Sequence, residues 1–393
     1  MVVQSRTAMD PSTPSDAGLA SRAWGRSAAL ALVLAWLASC SSLPHWMPGS
    51  TRHAPARVSA ADYDRAMSEA RAGMAEGAYD RALDWTLATR ETEGLTPAQR
   101  EESRLLMDEA AKKRIEQLDV PGTDPDDLAD IAGYDLPRQI AVDAGLRAAR
   151  RYVEQGEAHD GFLVLKRLDV KFPMHHERQA AGDLMVEMGL SLKDDDNGFF
   201  GLFETVDEAQ EILEYAILNA PWARRCDAAY AALCAIYRKE RRFDLAIERA
   251  GQLVVNHPES ELRAQHQLLI PQLRLESLLS PEYDRQALTQ ARTELIDWLQ
   301  TFPTNELGTQ ARADLVDCLV RLYESDLLIS KFYARVDSSW GARFHAQRAI
   351  EEAREARDEA RVAAAQQWLE RLPPVPSDLP LPTPADAAAQ GTP

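Results

Sequence analysis

The chain has 393 residues, 45% hydrophobic and 27% charged, with 62 acidic against 44 basic side chains and a formal net charge of -18. That length suits two ordinary domains or one extended array, and the acidic balance argues against a nucleic-acid partner, whose phosphates need a basic face. Ala, Leu, Glu and Arg dominate, and Asn-Gly or Gly-Gly hairpin signals between alternating apolar runs are missing, so an all-α protein is expected and a β-sandwich or barrel is excluded.

Arg22 and Arg26 precede an apolar run from Ala28 to Ala38. A spanning helix needs about 20 apolar residues and a secretory core about 7 to 15, so residues 1–39 are expected to be a signal peptide. The run closes on Leu37, Ala38, Ser39 and Cys40, which looks like a bacterial lipobox cleaved between Ser39 and Cys40. Cys40 is then the lipidation site, because two or more acyl chains anchor stably where one is marginal. Residues 40–61 hold several prolines without helical period and read as a flexible tether. Cys226 and Cys234 fall on one expected helix, roughly 12 Å apart by rise, too far for a disulfide. With Cys318 they read as small core residues.

From Tyr63 the sequence turns helical, and the Ala70, Gly77, Tyr79, Ala82 pattern marks a first helix-turn-helix unit within residues 62–139, its second part, 120–139, read as a linker. On the expected concave face of its first helix, Asp64, Met67, Arg71 and Met74 are candidate peptide contacts, with plain solvated surface as the competing reading. Residues 140–335 carry the clearest repeat. X-Pro pairs close helical segments at Pro173, Pro221, Pro258 and Pro303, spaced 48, 37 and 45 residues apart. A tetratricopeptide repeat has a period of about 34 residues, with aromatic, Leu and small residues at set positions and a closing proline. Tyr230, Leu233, Cys234, Tyr237, Phe243, Ala246 and Pro258 fit that frame, with Arg241 where the turn glycine normally stands. Ala149, Tyr152, Gly156, Gly161 and Pro173 fit it again. Val206–Asn219 and Tyr283–Phe302 read as further second helices behind inserts at 194–205 and 279–284. The fold class expected is therefore a tetratricopeptide-repeat (TPR) α-solenoid.

A long helix from Leu307 to Arg335 follows, then a second helix within 336–372, from Trp340 to Leu372, with an alanine stripe at Ala349, Ala353, Ala356, Ala360 and Ala363. This long C-terminal hairpin is either a polar cap or a partner-binding element. The proline-rich tail, 373–393, is expected to be disordered.

Chemistry is thinly represented. Asp195, Asn197, Gly198 and Glu204 fall into an EF-hand frame, but Lys193 occupies the position of its first carboxylate, so an acidic loop is expected instead of a calcium site. His175, His176 and Glu177 read as a helix start, not a zinc site. No phosphate loop, Gly-x-Ser-x-Gly, His-Glu-x-x-His or Cys-x-x-Cys occurs, so no catalytic residue, metal or cofactor is expected.

The lipobox, tether, repeats and long final hairpin together resemble the BamD/YfiO-like lipoproteins of the β-barrel assembly machinery. The resemblance is strongest from Asp195 to Ile350, through Thr205-Val206-Asp207-Glu208-Ala209, Pro281-Glu282-Tyr283-Asp284 and Leu327-Leu328-Ile329-Ser330-Lys331-Phe332-Tyr333. It implies a non-enzymatic scaffold held at the periplasmic face of the outer membrane by its lipid. The implied partners are the periplasmic domains of the barrel-forming assembly subunit and unfolded β-barrel clients. The chain departs from the family in its extra N-terminal unit and in Asp337-Ser338-Ser339-Trp340, where the family has Gly-x-Tyr. A repeat lipoprotein acting as a secretin pilotin, or coordinating envelope division or peptidoglycan factors, is the alternative reading.

Overall fold

The computed structural model describes residues 58–90, 92–194, 204–278 and 284–375. The signal peptide, Ser39, Cys40, nearly all of the tether, most of both inserts and most of the proline-rich tail lie outside them. The described residues are all-helical: after a short 3-10 turn, Ala60–Asp62, come fifteen α-helices, each packed chiefly on its sequence neighbours, an arrangement consistent with an α-solenoid. Two compact units divide the chain, with the boundary between Arg114 and Ile115.

The first unit contains α1 (Tyr63–Glu76), α2 (Tyr79–Arg90) and most of α3 (Pro97–Leu118). Thr96 starts α3 with a reciprocal cap: its backbone N–H donates to Gln99 Oε1 at 2.9 Å, and the Gln99 N–H donates back to Thr96 Oγ1 at 3.3 Å. Pro97 fits the first helical position because no N–H is needed there. The second unit opens with the last turn of α3 and α4 (Pro125–Gly133). It continues through α5 (Arg138–Gln155), α6 (Ala158–Lys171), α7 (Arg178–Asp194), α8 (Glu204–Asn219), α9 (Cys226–Lys239) and α10 (Phe243–Asn256). It ends with α11 (Arg263–Ser277), α12 (Arg285–Thr301), α13 (Gly308–Arg335), α14 (Ser339–Glu355) and α15 (Glu359–Arg371).

One turn geometry recurs between paired helices. Gly77, Gly156, Arg241, Asp337 and Arg357 all have φ between 57° and 82°. In each case the next residue's N–H reaches back five positions: Ala78 to Gly73, Glu157 to Tyr152, Arg242 to Tyr237, Ser338 to Tyr333 and Asp358 to Ala353, at 2.8 to 3.0 Å. This is the Schellman closure, which satisfies carbonyls that a helix end would leave orphaned. Five residues beyond the left-handed position stands Ala82, Gly161, Ala246, Ala342 or Val362, each buried where the returning helix crosses its partner. At Gly161 the approach is close: a Cβ there would lie 2.6 Å from Met188 Cε and 3.1 Å from Tyr152 Cβ. Gly156 is different, with φ 82° and open space around its missing Cβ, so only backbone strain opposes a side chain. Gly156→Ala is expected to cost about 1 kcal/mol of stability in denaturant titration.

A second turn follows α6, α8, α10 and α12. Phe172, Ala220, His257 and Phe302 donate to the carbonyl four residues back, and their own carbonyls accept from the residue three ahead. Pro173, Pro221, Pro258 and Pro303 follow them, so the proline spacing in the sequence marks a structural period. Between α9 and α10 the core is Tyr230, Leu233, Cys234, Tyr237 and Ala246, all buried, with Phe243 half-buried at the edge.

Two expectations need correction. Residues 120–139 are not simply a linker: α4 forms there, capped by Asp124, whose Oδ1 accepts from the Asp126 N–H at 3.0 Å. Leu128, Ile131 and Ala132 are buried on its inner face, and it packs on α5. The single helix expected within 336–372 is also broken. Arg357 adopts φ 59°, and Asp358 caps a new helix by accepting from the Arg361 N–H at 3.0 Å. The alanine stripe consequently ends at Ala353: Ala349 and Ala353 are buried, whereas Ala360 and Ala363 are exposed and α15 buries Val362 and Ala365 instead.

Candidate functional site

In the first unit, Tyr63 and Met67 lie one helical turn apart and face α3. The Tyr63 hydroxyl donates to the Gln99 carbonyl at 2.8 Å and to Glu102 at 3.1 Å. Burial and the Glu102 carboxylate push the phenol up to about 12, so it keeps its proton and remains a donor. Met67 is 1% exposed and packs with Tyr63 and Leu95. The expected place of Met67 on a peptide-contacting face is therefore wrong: α3 covers that position. Asp64 is exposed, and Arg71 is exposed but paired with Glu102. Arg71 and half-buried Met74 line a hollow of about 400 Å³ with Tyr79, Glu109 and Lys113. The structure thus brings two of the four expected residues together and separates the other two from them.

The larger concavity, about 970 Å³, lies in the second unit. Its walls come from α7, α9 and α11, the first helices of three consecutive pairs. Ala228, Ala231, Ala232 and Ala235 recur at three- and four-residue spacing along one face of α9, so the floor of the groove is methyl groups. On α7 the wall is Leu190 and Lys193; on α11 it is Gln265, His266, Leu269 and Gln272, with Leu262 just before that helix. His266 is 6% exposed, and its Nδ1 sits 3.0 Å from the Leu262 carbonyl. A carbonyl cannot donate, so Nδ1 carries the proton and Nε2 is left as an acceptor. Burial pushes the His266 pKa down, which keeps the ring neutral. The Gln272 side-chain N–H donates to Asp314 at 2.7 Å, and this fixes which end of the amide faces the groove.

The rim is basic. Arg225, Arg238, Lys239 and Arg241 border the groove together with one carboxylate, Glu276, which pairs with Arg238 at 2.8 Å. Arg241 lies 5.7 Å from the Phe243 ring, held there by its left-handed turn. The sequence does signal this site, because α9 has a second row of alanines on the face away from Leu233 and Cys234. The repeat frame explains only the inner row.

The other sequence candidates are accounted for structurally where they are described. His175 is buried 3.5 Å from Asp169, and its pKa is lowered, first by burial. Cys226, Cys234 and Cys318 are free and buried, and desolvation pushes their thiols up to about 11, 11 and 12 respectively, which leaves them protonated and inert. Asp195, Asn197 and Gly198 lie outside the described residues. Among the described residues no group of three or more His, Cys, Asp or Glu side chains is placed to hold a metal ion, and no helix is long and apolar enough to cross a membrane. No protein-family model matches the chain, and no curated protein matches it significantly.

Proposed function

We propose that this protein is a non-enzymatic TPR α-solenoid scaffold, anchored through Cys40 at the periplasmic face of the outer membrane, that takes part in the assembly and insertion of β-barrel outer-membrane proteins. The observation that carries the reading is the groove built by the first helices of consecutive pairs, since stacked repeats present such a surface to an extended or helical segment of a partner. The recurring Schellman turns and X-Pro closures support the TPR assignment. Its lipobox and long final hairpin supply the resemblance to BamD/YfiO-like lipoproteins, and the barrel-assembly role rests on that resemblance. Unfolded β-barrel clients occupy the groove in this reading. The barrel-forming subunit's periplasmic domains dock on the C-terminal helices, where Leu328 and Phe332 of α13 and Val336 just past its end are exposed at four-residue spacing.

The test is a mild-detergent pull-down of the tagged, lipidated protein from its native envelope, followed by mass spectrometry, with Cys40→Ala as control. The barrel-forming subunit is expected in near-equal amount, and its recovery should drop with Cys40→Ala. Recovery of a secretin, a division protein or only peptidoglycan factors would retain a repeat scaffold and remove the assigned role.

A further inference from the structure

We propose that the groove between α7, α9 and α11 selects an extended acidic peptide segment of about six residues. The proposal rests on the reading of this groove as a peptide site and adds the chemistry of its occupant. Packed helices lie about 8–10 Å apart; α9 packs on α7, whereas α11 packs chiefly on α10 and α12, so a path across the three first helices is at least about 16–20 Å, the reach of about six extended residues. An entire partner helix, about 10 Å across with its side chains, finds less support in this short crossing than an extended strand does.

The lining suits a main chain. Ala228, Ala231 and Ala235 put nothing larger than a methyl on the floor, so a backbone can approach closely. Gln265 is exposed on α11 one heptad before Gln272, and amide side chains offer the donor and acceptor pair that a peptide unit needs. Because Asp314 accepts from the Gln272 side-chain N–H, the Gln272 carbonyl is the group left to accept a peptide N–H.

The charge decides the side chains. Acidic residues outnumber basic ones over the whole chain, yet this one concavity is rimmed by cations at both ends of α9. Arg225 precedes its first turn, Lys239 closes its last and Arg241 follows. Glu276 balances Arg238, whereas Arg225 and Lys239 have no acidic partner among the described residues. A cleft whose rim carries a net positive charge concentrates anionic ligands, and a neutral or apolar strand gains nothing from that field. Phospholipid headgroups and nucleic acid share the negative charge but have no main-chain amide for the glutamines to read.

The experiment uses the purified full chain and labelled six-residue peptides followed by fluorescence anisotropy: an Asp/Glu-rich sequence, its Asn/Gln isostere and a Lys-rich counterpart. The acidic peptide should bind about tenfold more tightly than the isostere at about 50 mM salt, with most of that margin lost near 500 mM. Arg225→Gln with Lys239→Gln should remove the margin, and both positions are exposed, so thermal melting should not move. A charge-reversed pair, Arg225→Glu with Lys239→Glu, should invert the preference towards the Lys-rich peptide. Ala235→Trp, which fills the floor from an exposed position, should weaken every peptide that uses the groove. If acidic and neutral peptides bind equally and both respond to Ala235→Trp, the acidic selection is wrong and the peptide groove stands. If no peptide responds to Ala235→Trp, the groove reading itself falls. Phosphatidylglycerol vesicles or single-stranded DNA binding through Arg225 and Lys239 in place of the acidic peptide would overturn the peptide assignment.

Discussion

Trp298→Ala is expected to destabilise the second unit by about 3–5 kcal/mol, among the largest losses a single core truncation gives. Trp298 is fully buried on α12 in a cluster with Leu268, Leu275, Leu288, Leu295, Ala311 and Leu322, so its ring joins α11, α12 and α13. Its Nε1–H donates to the Ala264 carbonyl of α11 at 2.8 Å, and its ring lies 5.3 Å from Phe302 at the turn into α13. Alanine leaves a cavity and removes the indole donor in one step. Trp298→Phe keeps most of the packing and loses only the donor, at about 1 kcal/mol. Urea midpoints at unchanged slope would measure both. Because α11 carries His266 and Gln272 into the groove, the alanine variant should also weaken groove ligands at temperatures where it remains folded. A loss below about 1 kcal/mol would mean that the surrounding helices collapse onto the vacated space.

The hairpin register was readable before the structure because each of its elements has a local cause. Four X-Pro pairs end helices, although Ile270-Pro271 stands inside α11; Gly-x-Tyr marks a left-handed turn, and small residues such as Ala149 and Ala246 recur where helices cross. What escaped the sequence has other causes. Arg357 takes the same left-handed conformation as Gly156 with no glycine to announce it, so Arg354 to Arg361 reads as unbroken helix. Helix α4 escaped because its apolar face is only Leu128, Ile131 and Ala132, behind a proline start and an acidic first turn. Met67 was misplaced for a reason that no periodicity resolves: an amphipathic pattern shows that a face is covered, and α3, some thirty residues away, does the covering. The groove followed the same logic in reverse. The outer alanines of α9 look like unremarkable helix formers until α7 and α11 flank them and the cations of the adjoining turns gather at the rim.

Asp326→Ala should cost about 3–5 kcal/mol, for an electrostatic reason that pH can separate from packing. Asp326 is wholly buried on α13. Its Oδ1 lies 2.6 Å from His345 Nδ1 on α14, and its Oδ2 accepts from Arg285 Nη2 on α12 at 2.7 Å. Burial alone would raise its pKa, but the hydrogen bonds from His345 and Arg285 outweigh burial and hold the carboxyl below its ordinary range. Glu352 on α14 lies 3.2 Å from the same guanidinium, yet burial first and the Asp326 charge second drive its pKa up to about 8. The pair therefore holds one negative charge at neutral pH, on Asp326. Removing it leaves Arg285 and His345 without their shared acceptor, and it lets Glu352 ionise at lower pH because the neighbouring charge is gone. The two groups have opposite signs in their linkage to stability. Asp326 contributes above its ordinary value of 3.8, and that contribution disappears as pH falls below it. The neutral Glu352 contributes fully below its ordinary value of 4.5, and the contribution is lost as pH rises through about 8. Glu352→Gln, which copies the protonated carboxyl, should leave stability near pH 5 almost unchanged and remove the decline between about pH 5 and 8. Asp326→Ala should be destabilising at pH 7 and approach the parent protein under acid conditions. Urea titrations across this range would decide it: a Glu352→Gln variant that keeps the alkaline decline would mean Glu352 is already ionised, so that the buried cluster holds two negative charges and Arg285 is shared equally between them.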